Sequence, residues 1–218
     1  MKRGAIALTG AALAATLGAA SAHAAGAHAA SGTQTDSRGT PNSVVWLDNL
    51  LHPVDIVEAL NVNGPVTSTV GGGDGGYGLS ACTGETRMRD VVGRKAHMDH
   101  GVFRGRAGKA RTKFSLTEQI ADQGSVTQAH RKYHRIVRLV SDCQHETPGH
   151  WRYGPAHHLS NKGWQTTYMR AINGDGTRAG GIIVARTGNH LAVVEFSDTQ
   201  VTKTQIDVLT ASTSAQLG

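Results

Sequence analysis

Aromatic residues, cysteines and prolines are all scarce in this chain, and each scarcity narrows what it can be. Three Trp, four Tyr and three Phe among 218 residues leave few rings for a core, while 28 glycines imply many turns. Only two cysteines are present, so at most one intramolecular disulfide can form. Beyond the N-terminal region no apolar run approaches the roughly 20 residues that a bilayer core demands. No charge of one sign dominates either. The formal charge is +6, and setting aside Lys2 and Arg3 leaves about +4.

The N-terminus reads as an export signal. Lys2 and Arg3 form a positive start, and Ile6 to Leu17 is apolar and uncharged. Ala22-His23-Ala24 then offers the small-x-small pattern that signal peptidase accepts. Residues 1–24 are therefore expected to be a cleaved signal peptide, although Ala27-His28-Ala29 offers a second cut nearby. Residues 25–43, mostly Ala, Gly, Ser and Thr, cannot bury enough apolar surface to offset chain entropy and read as a flexible leader. Residues 44–218 remain as one domain, secreted and without a membrane span.

In an oxidising compartment an isolated pair such as Cys82 and Cys143 most often bridges. Closing that loop stabilises the fold by about 4 kcal/mol in the chain-entropy model. The competing reading is two free thiols. His130, His134 and His145 could partner one of them, but none stands in a cysteine-hydrolase pattern.

Periodicity supplies the elements. Asp48 to Leu60 starts a short helix with Pro53 in a first-turn position and Val54, Val57 and Leu60 on one face. Val70 to Gly78 reads as a mobile glycine loop. Arg111 to Asp122 alternates as a half-buried strand, with Phe114, Leu116 and Ile120 on the apolar side. Glu118 falls on that same side and is expected to pair with a cation at a margin. Ser125 caps the best helix, whose stripe is Val126, Ala129, Tyr133, Ile136, Val137 and Val140. Three strands follow, Gly163 to Ile172, Ala179 to Arg186 and His190 to Ser197, joined by Asn-Gly and Gly-Asn turns. Ser197 to Leu217 closes the chain as a helix. Consecutive hairpins with flanking helices define an α+β fold, an antiparallel β-sheet with helices packed on one face and one disulfide.

Motifs for chemistry are mostly missing. The glycine loop lacks the Lys-Ser/Thr of a phosphate-binding loop, and no Gly-x-Ser-x-Gly occurs. His130 and His134 are four apart, but Arg131 stands where a zincin has its glutamate. His97 with His100 and His157-His158 fit no ligand pattern, so no metal or cofactor is expected. Nothing in the sequence pairs two of Asp90, Asp99 and Glu118 as a glycosidase requires. The basic clusters, Arg104 to Lys113 and Arg131 to Arg138, lack interleaved aromatics and read as solvated faces, not as a nucleic-acid surface. The most suggestive face is that of Trp164, Thr166, Tyr168 and Arg170 on one strand, suited to a polar or anionic ligand. Its plain alternative is a sheet face covered by helices, with Arg170 at the rim.

From Leu47 to the end, the order of parts resembles the PknH-like extracellular sensor domains of actinobacterial receptor-type serine/threonine kinases and their free-standing secreted relatives. The resemblance rests on the Asp55-Ile56-Val57-Glu58-Ala59-Leu60 helix, Cys82, the strand around Phe114, the Ala129 helix running to Cys143, and the hairpin from Val184 to Val194. It implies helices on an antiparallel sheet, a cleft for an unidentified ligand and no catalytic residues. That family's kinase members hold a second disulfide, which this chain cannot form. The expected function is a secreted, non-catalytic binding protein for a small-molecule or cell-envelope ligand, with Trp164, Tyr168 and Arg170 as candidate ligand contacts. A secreted hydrolase with a dispersed site and a structural or inhibitory surface protein are the alternatives.

Overall fold

The computed structural model describes residues 47–218 apart from 74, 81, 108–111, 148, 162 and 198–200. The chain divides into two units, and the first, Met1–Thr40, lies outside the described residues. The expected signal and leader, and the first three residues of the expected domain, fall outside them too. Everything below concerns the second unit.

Eight strands form one antiparallel sheet: β1 (Thr67–Gly72), β2 (Met98–Ala107), β3 (Thr112–Asp122), β4 (Arg152–Tyr153), β5 (His157–Asn161), β6 (Trp164–Ile172), β7 (Arg178–Thr187) and β8 (His190–Ser197). Their order is β1-β2-β3-β8-β7-β6-β4, with β5 also pairing β6. Four helices accompany it: α1 (Pro53–Leu60), α2 (Met88–Val92), α3 (Val126–Ser141) and α4 (Lys203–Leu217). The fold class and the disulfide are those the sequence implied.

The expectation of helices on one face needs widening, because both faces are covered. Ala129, Tyr133, Ile136 and Val140 of α3 pack with Met88 and Val91 of α2 against Ile182, Val184, Leu191 and Val193. On the other face Ile56 and Leu60 of α1 and Ile206 and Leu209 of α4 pack against Phe103, Phe114, Leu116, Ile183 and Val194. Adjacent residues of β7 and β8 thus enter opposite cores, and a strand buried on both faces reads as a continuous apolar run.

Local chemistry sets the helix starts. Ser125 Oγ accepts from the Gln128 backbone N–H at 3.2 Å, and Thr202 and Gln205 form a capping box for α4. That cap puts the start of α4 at Lys203, six residues after the Ser197 expected from sequence. In α1 the buried residues are Ile56, Ala59 and Leu60. Val54 and Val57, expected to join Leu60 on the packed face, are exposed.

Two further expectations change, and one strand is new. Val70, Gly71 and Gly72 of the supposed glycine loop end an edge strand, Thr67–Gly72, laddered to Arg104–Asp99. Its backbone hydrogen bonds do what its exposed side chains cannot. Strand β2 was not read from sequence at all. Glu118 is fully buried in the α1–α4 core, with no cation beside it among the described residues. Its Oε2 accepts from the Leu51 backbone N–H at 2.7 Å.

Cys82 and Cys143 are bridged, with Cα atoms 5.8 Å apart. The bridge ties the 3-10 turn that follows α3 (Asp142–His145) to the segment ahead of α2. Among the described residues no helix is long and apolar enough to cross a membrane.

Candidate functional site

Strand β6 lies near one end of the sheet and pairs with β5, whose five residues are all exposed. Opposed residues share a face, so Leu159 stands over Thr166 and His157 over Tyr168, while His158 stands over Thr167 and Ser160 over Gln165. The β5–β6 pair therefore borders two clefts, one beneath α4 and one beneath α3.

The α4 cleft has a volume of about 300 Å3 and is lined by Leu159, Trp164, Asp207, Thr210, Ala211, Ser214 and Ala215. Four of the α4 lining residues, Thr210, Ala211, Ser214 and Ala215, are small. Their spacing at three- and four-residue steps opens the groove opposite the Trp164 ring. Ser214 Oγ and Thr166 Oγ1, 3.1 Å apart, close its floor. Two polar atoms lack partners: Asp207 Oδ1 and Thr210 Oγ1 are both buried without a hydrogen bond among the described residues. The other Asp207 oxygen is engaged by Lys203 Nζ at 2.7 Å. An orphaned buried hydroxyl typically costs about 1–3 kcal/mol, so a ligand that supplies a donor there gains what the free fold lacks.

The three sequence candidates part company here. Trp164 is half-buried and walls the groove. Tyr168 is only 1% exposed, belongs to the core, and is stacked by His157 with ring centroids 4.7 Å apart. Arg170 is half-buried and is not among the residues that line the groove. The strand face is thus a helix-covered one along most of its length, open at its Trp164 end.

The α3 cleft, about 260 Å3, is lined by Tyr133, His134, Val137, His158, Leu159, Ser160, Gln165 and Thr167. The Tyr133 and Thr167 hydroxyls are 2.6 Å apart, and His158 Nδ1 is 2.8 Å from the same Thr167 oxygen. Desolvation and the Thr167 contact act on Tyr133 in opposite senses; burial dominates and raises its pKa. His134 is held below the ordinary histidine range, first by desolvation and then by the positive His130, Arg186, Arg138 and His158. Thr167 is buried and shared with Tyr133, and among the described residues no carboxylate is bonded to His158, so these residues do not bring a nucleophile, base and orienting acid together there. Sequence reasoning missed this cleft because its parts come from α3, β5 and β6, whose approach no local pattern shows.

Among the described residues no group of three His, Cys, Asp or Glu is placed to hold a metal ion. A larger hollow of about 500 Å3 lies between residues 92–97 and 122–128. Its acid, Asp122, is engaged by Gly124 N at 2.8 Å and Asn189 Nδ2 at 2.6 Å. Part of the first basic cluster, Arg104, Arg106 and Lys113, borders an open hollow beside Phe114.

No family model matches the chain, and no curated protein matches it. Among solved structures it is similar to the extracellular domain of PknH from Mycobacterium tuberculosis, at 9% identity and a TM-score of 0.48. The match covers 78% of this chain and 92% of that one. At that level no residue's role is transferred.

Proposed function

We propose that the chain is an exported, non-catalytic binding protein of the sensor-like kind, and that its ligand sits in the groove between Trp164 and α4. The observation that carries this reading is the pair of unpartnered buried atoms, Asp207 Oδ1 and Thr210 Oγ1, at a groove walled by Trp164 and Leu159. Native folds rarely leave such atoms without partners, and their concentration beside an aromatic wall fits a ligand. A carboxylate and a hydroxyl in an otherwise apolar groove select a compact, mainly apolar molecule carrying a hydrogen-bond donor, such as an amine or alcohol. That keeps the polar half of the polar or anionic ligand expected of this face and sets aside the anionic half, since Arg170 does not line the groove and Asp207 does. Export is supported by the signal-like N-terminus and by the Cys82–Cys143 bridge, a bond that persists in oxidising compartments.

The test is a thermal-shift screen of small amines, alcohols and cell-wall fragments against the intact chain and Trp164→Ala. The reading expects at least one class to raise the wild-type melting temperature, with that rise lost in the variant. A rise that survives Trp164→Ala, or none in any class, would count against the groove.

A further inference from the structure

The α3 cleft lies on the face of the β5–β6 pair opposite the groove beneath α4. Its charge is of one sign. His134 and His158 line the cleft, and the charged neighbours that perturb His134, namely His130, Arg186, Arg138 and His158, are all basic. Arg186 is the least ordinary of them. Its residue is 9% exposed, its Nε donates to Gln165 Oε1 at 3.2 Å, and its Nη1 donates to the Gly188 carbonyl at 2.9 Å. Among the described residues no carboxylate lies within ion-pair distance of it. A guanidinium withdrawn from water with only neutral acceptors lacks the counter-charge that buried cations ordinarily have.

Neutral donors stand ready in the same place. Because Gln165 Oε1 accepts from Arg186, the amide nitrogen of Gln165, whose side chain lines the cleft, is left as a donor. Ser160 is opposite Gln165 in the β5–β6 ladder and lines the cleft beside it. His158 is anchored through Nδ1 to Thr167, which leaves Nε2 unengaged by that bond. On α3 the His134 and His130 Nε2 atoms are 3.1 Å apart, so a proton on one ring is shared with the other.

We propose that the cleft between α3 and the β5–β6 hairpin binds a small tetrahedral oxyanion such as phosphate or sulfate, with Arg186 as the buried counter-charge, His134 and His158 as charged or neutral donors, and Gln165 and Ser160 completing the shell. The 260 Å3 volume suits a soluble ion better than a surface bearing many headgroups. A proton on His134 is opposed by desolvation and then by repulsion from His130 and Arg138 of α3, His158 of β5 and Arg186 of β7, and a bound anion offsets that repulsion. Affinity for an anion of fixed charge, such as sulfate, therefore rises as pH falls below the ordinary histidine range.

The experiment is a titration of the intact, disulfide-bonded protein with sulfate, whose charge is constant over the range, and with inorganic phosphate, each against chloride at equal ionic strength, by calorimetry, at pH 5 and pH 8. Saturable sulfate binding is expected at pH 5, weaker at pH 8, and reduced at least about tenfold in His134→Ala/His158→Ala and in Arg186→Gln. The histidines are at or near the surface, so the double variant decides the matter even if Arg186→Gln fails to fold. Vesicles containing phosphatidic acid should show no capture that depends on His134 and His158. Non-saturable uptake of sulfate, or equal binding by wild type and the double variant, would overturn the site. So would histidine-dependent vesicle capture without phosphate binding. Trp164→Ala should leave sulfate binding unchanged, which separates this result from the groove on the other face.

Discussion

Leu51 donates its backbone N–H to Glu118 Oε2 at 2.7 Å across 67 positions of sequence, joining the chain ahead of α1 to the centre of β3. The second oxygen, Oε1, is buried without a partner among the described residues. Burial pushes the Glu118 carboxyl up to about 8, against a lowering by the Leu51 bond and a further rise from Asp55. The acid is therefore protonated in the folded state at neutral pH.

Because the folded pKa lies above the unfolded one, the folded state binds the extra proton, and stability is full below the ordinary carboxyl range. It is lost as pH rises from there through about 8. Unfolding free energies from denaturant titrations at pH 4 to pH 9 should fall by up to about 1.4 kcal/mol per pH unit within that window. Glu118→Gln should flatten the slope. An equal slope in the variant would show that Glu118 is ionised in the fold.

Reduction of the Cys82–Cys143 bridge releases a constraint over a sequence separation of 61. Chemical denaturation of Cys82→Ser/Cys143→Ser should show a loss of about 4 kcal/mol. A loss under about 1 kcal/mol would mean that the unfolded chain is already held compact.

Gly180 has φ +103, and a Cβ there would run into the Phe196 carbonyl oxygen on β8. Backbone cannot move aside as a flexible side chain can. Gly180→Ala should destabilise by about 2–4 kcal/mol, read as a lowered midpoint. Gly188→Ala, at φ +56 in an open turn, should cost only about 1 kcal/mol.

Thr210→Val removes an unpartnered buried hydroxyl without changing side-chain volume much. The melting temperature should hold or rise, while ligands of the α4 groove should bind more weakly. Lower stability would mean that the hydroxyl has a partner in solution.

The class of fold was legible because strands β6 to β8 and helix α3 carry strong periodicity, turn residues and an N-cap. Strand β2 was not legible. Its sequence is interrupted by Gly101 and Gly105, which look like loop residues. Each is needed because a ring lies across it: a Cβ at Gly101 would meet the Phe103 ring at 2.7 Å, and one at Gly105 the Phe114 ring at 2.7 Å. In α1 two overlapping apolar stripes compete, and packing against α4 selects Ile56 over Val57. Pattern alone cannot decide that. At the site Trp164 was legible as an aromatic in an amphipathic strand. Tyr168 was misread because the same alternation describes a face open to ligand and a face covered by α4. Thr210 and Asp207 were invisible, since an unpartnered hydroxyl has no sequence signature.

The most direct measurement is the amide and indole NMR spectrum of the disulfide-bonded domain during titration with a small amine or alcohol that raises its melting temperature. The account predicts shifts concentrated at the Trp164 indole N–H and at the amides of Leu159, Thr210, Ala211 and Ser214, with Tyr168 little changed. Shifts that bypass Trp164 and α4, at saturating compound, would contradict it.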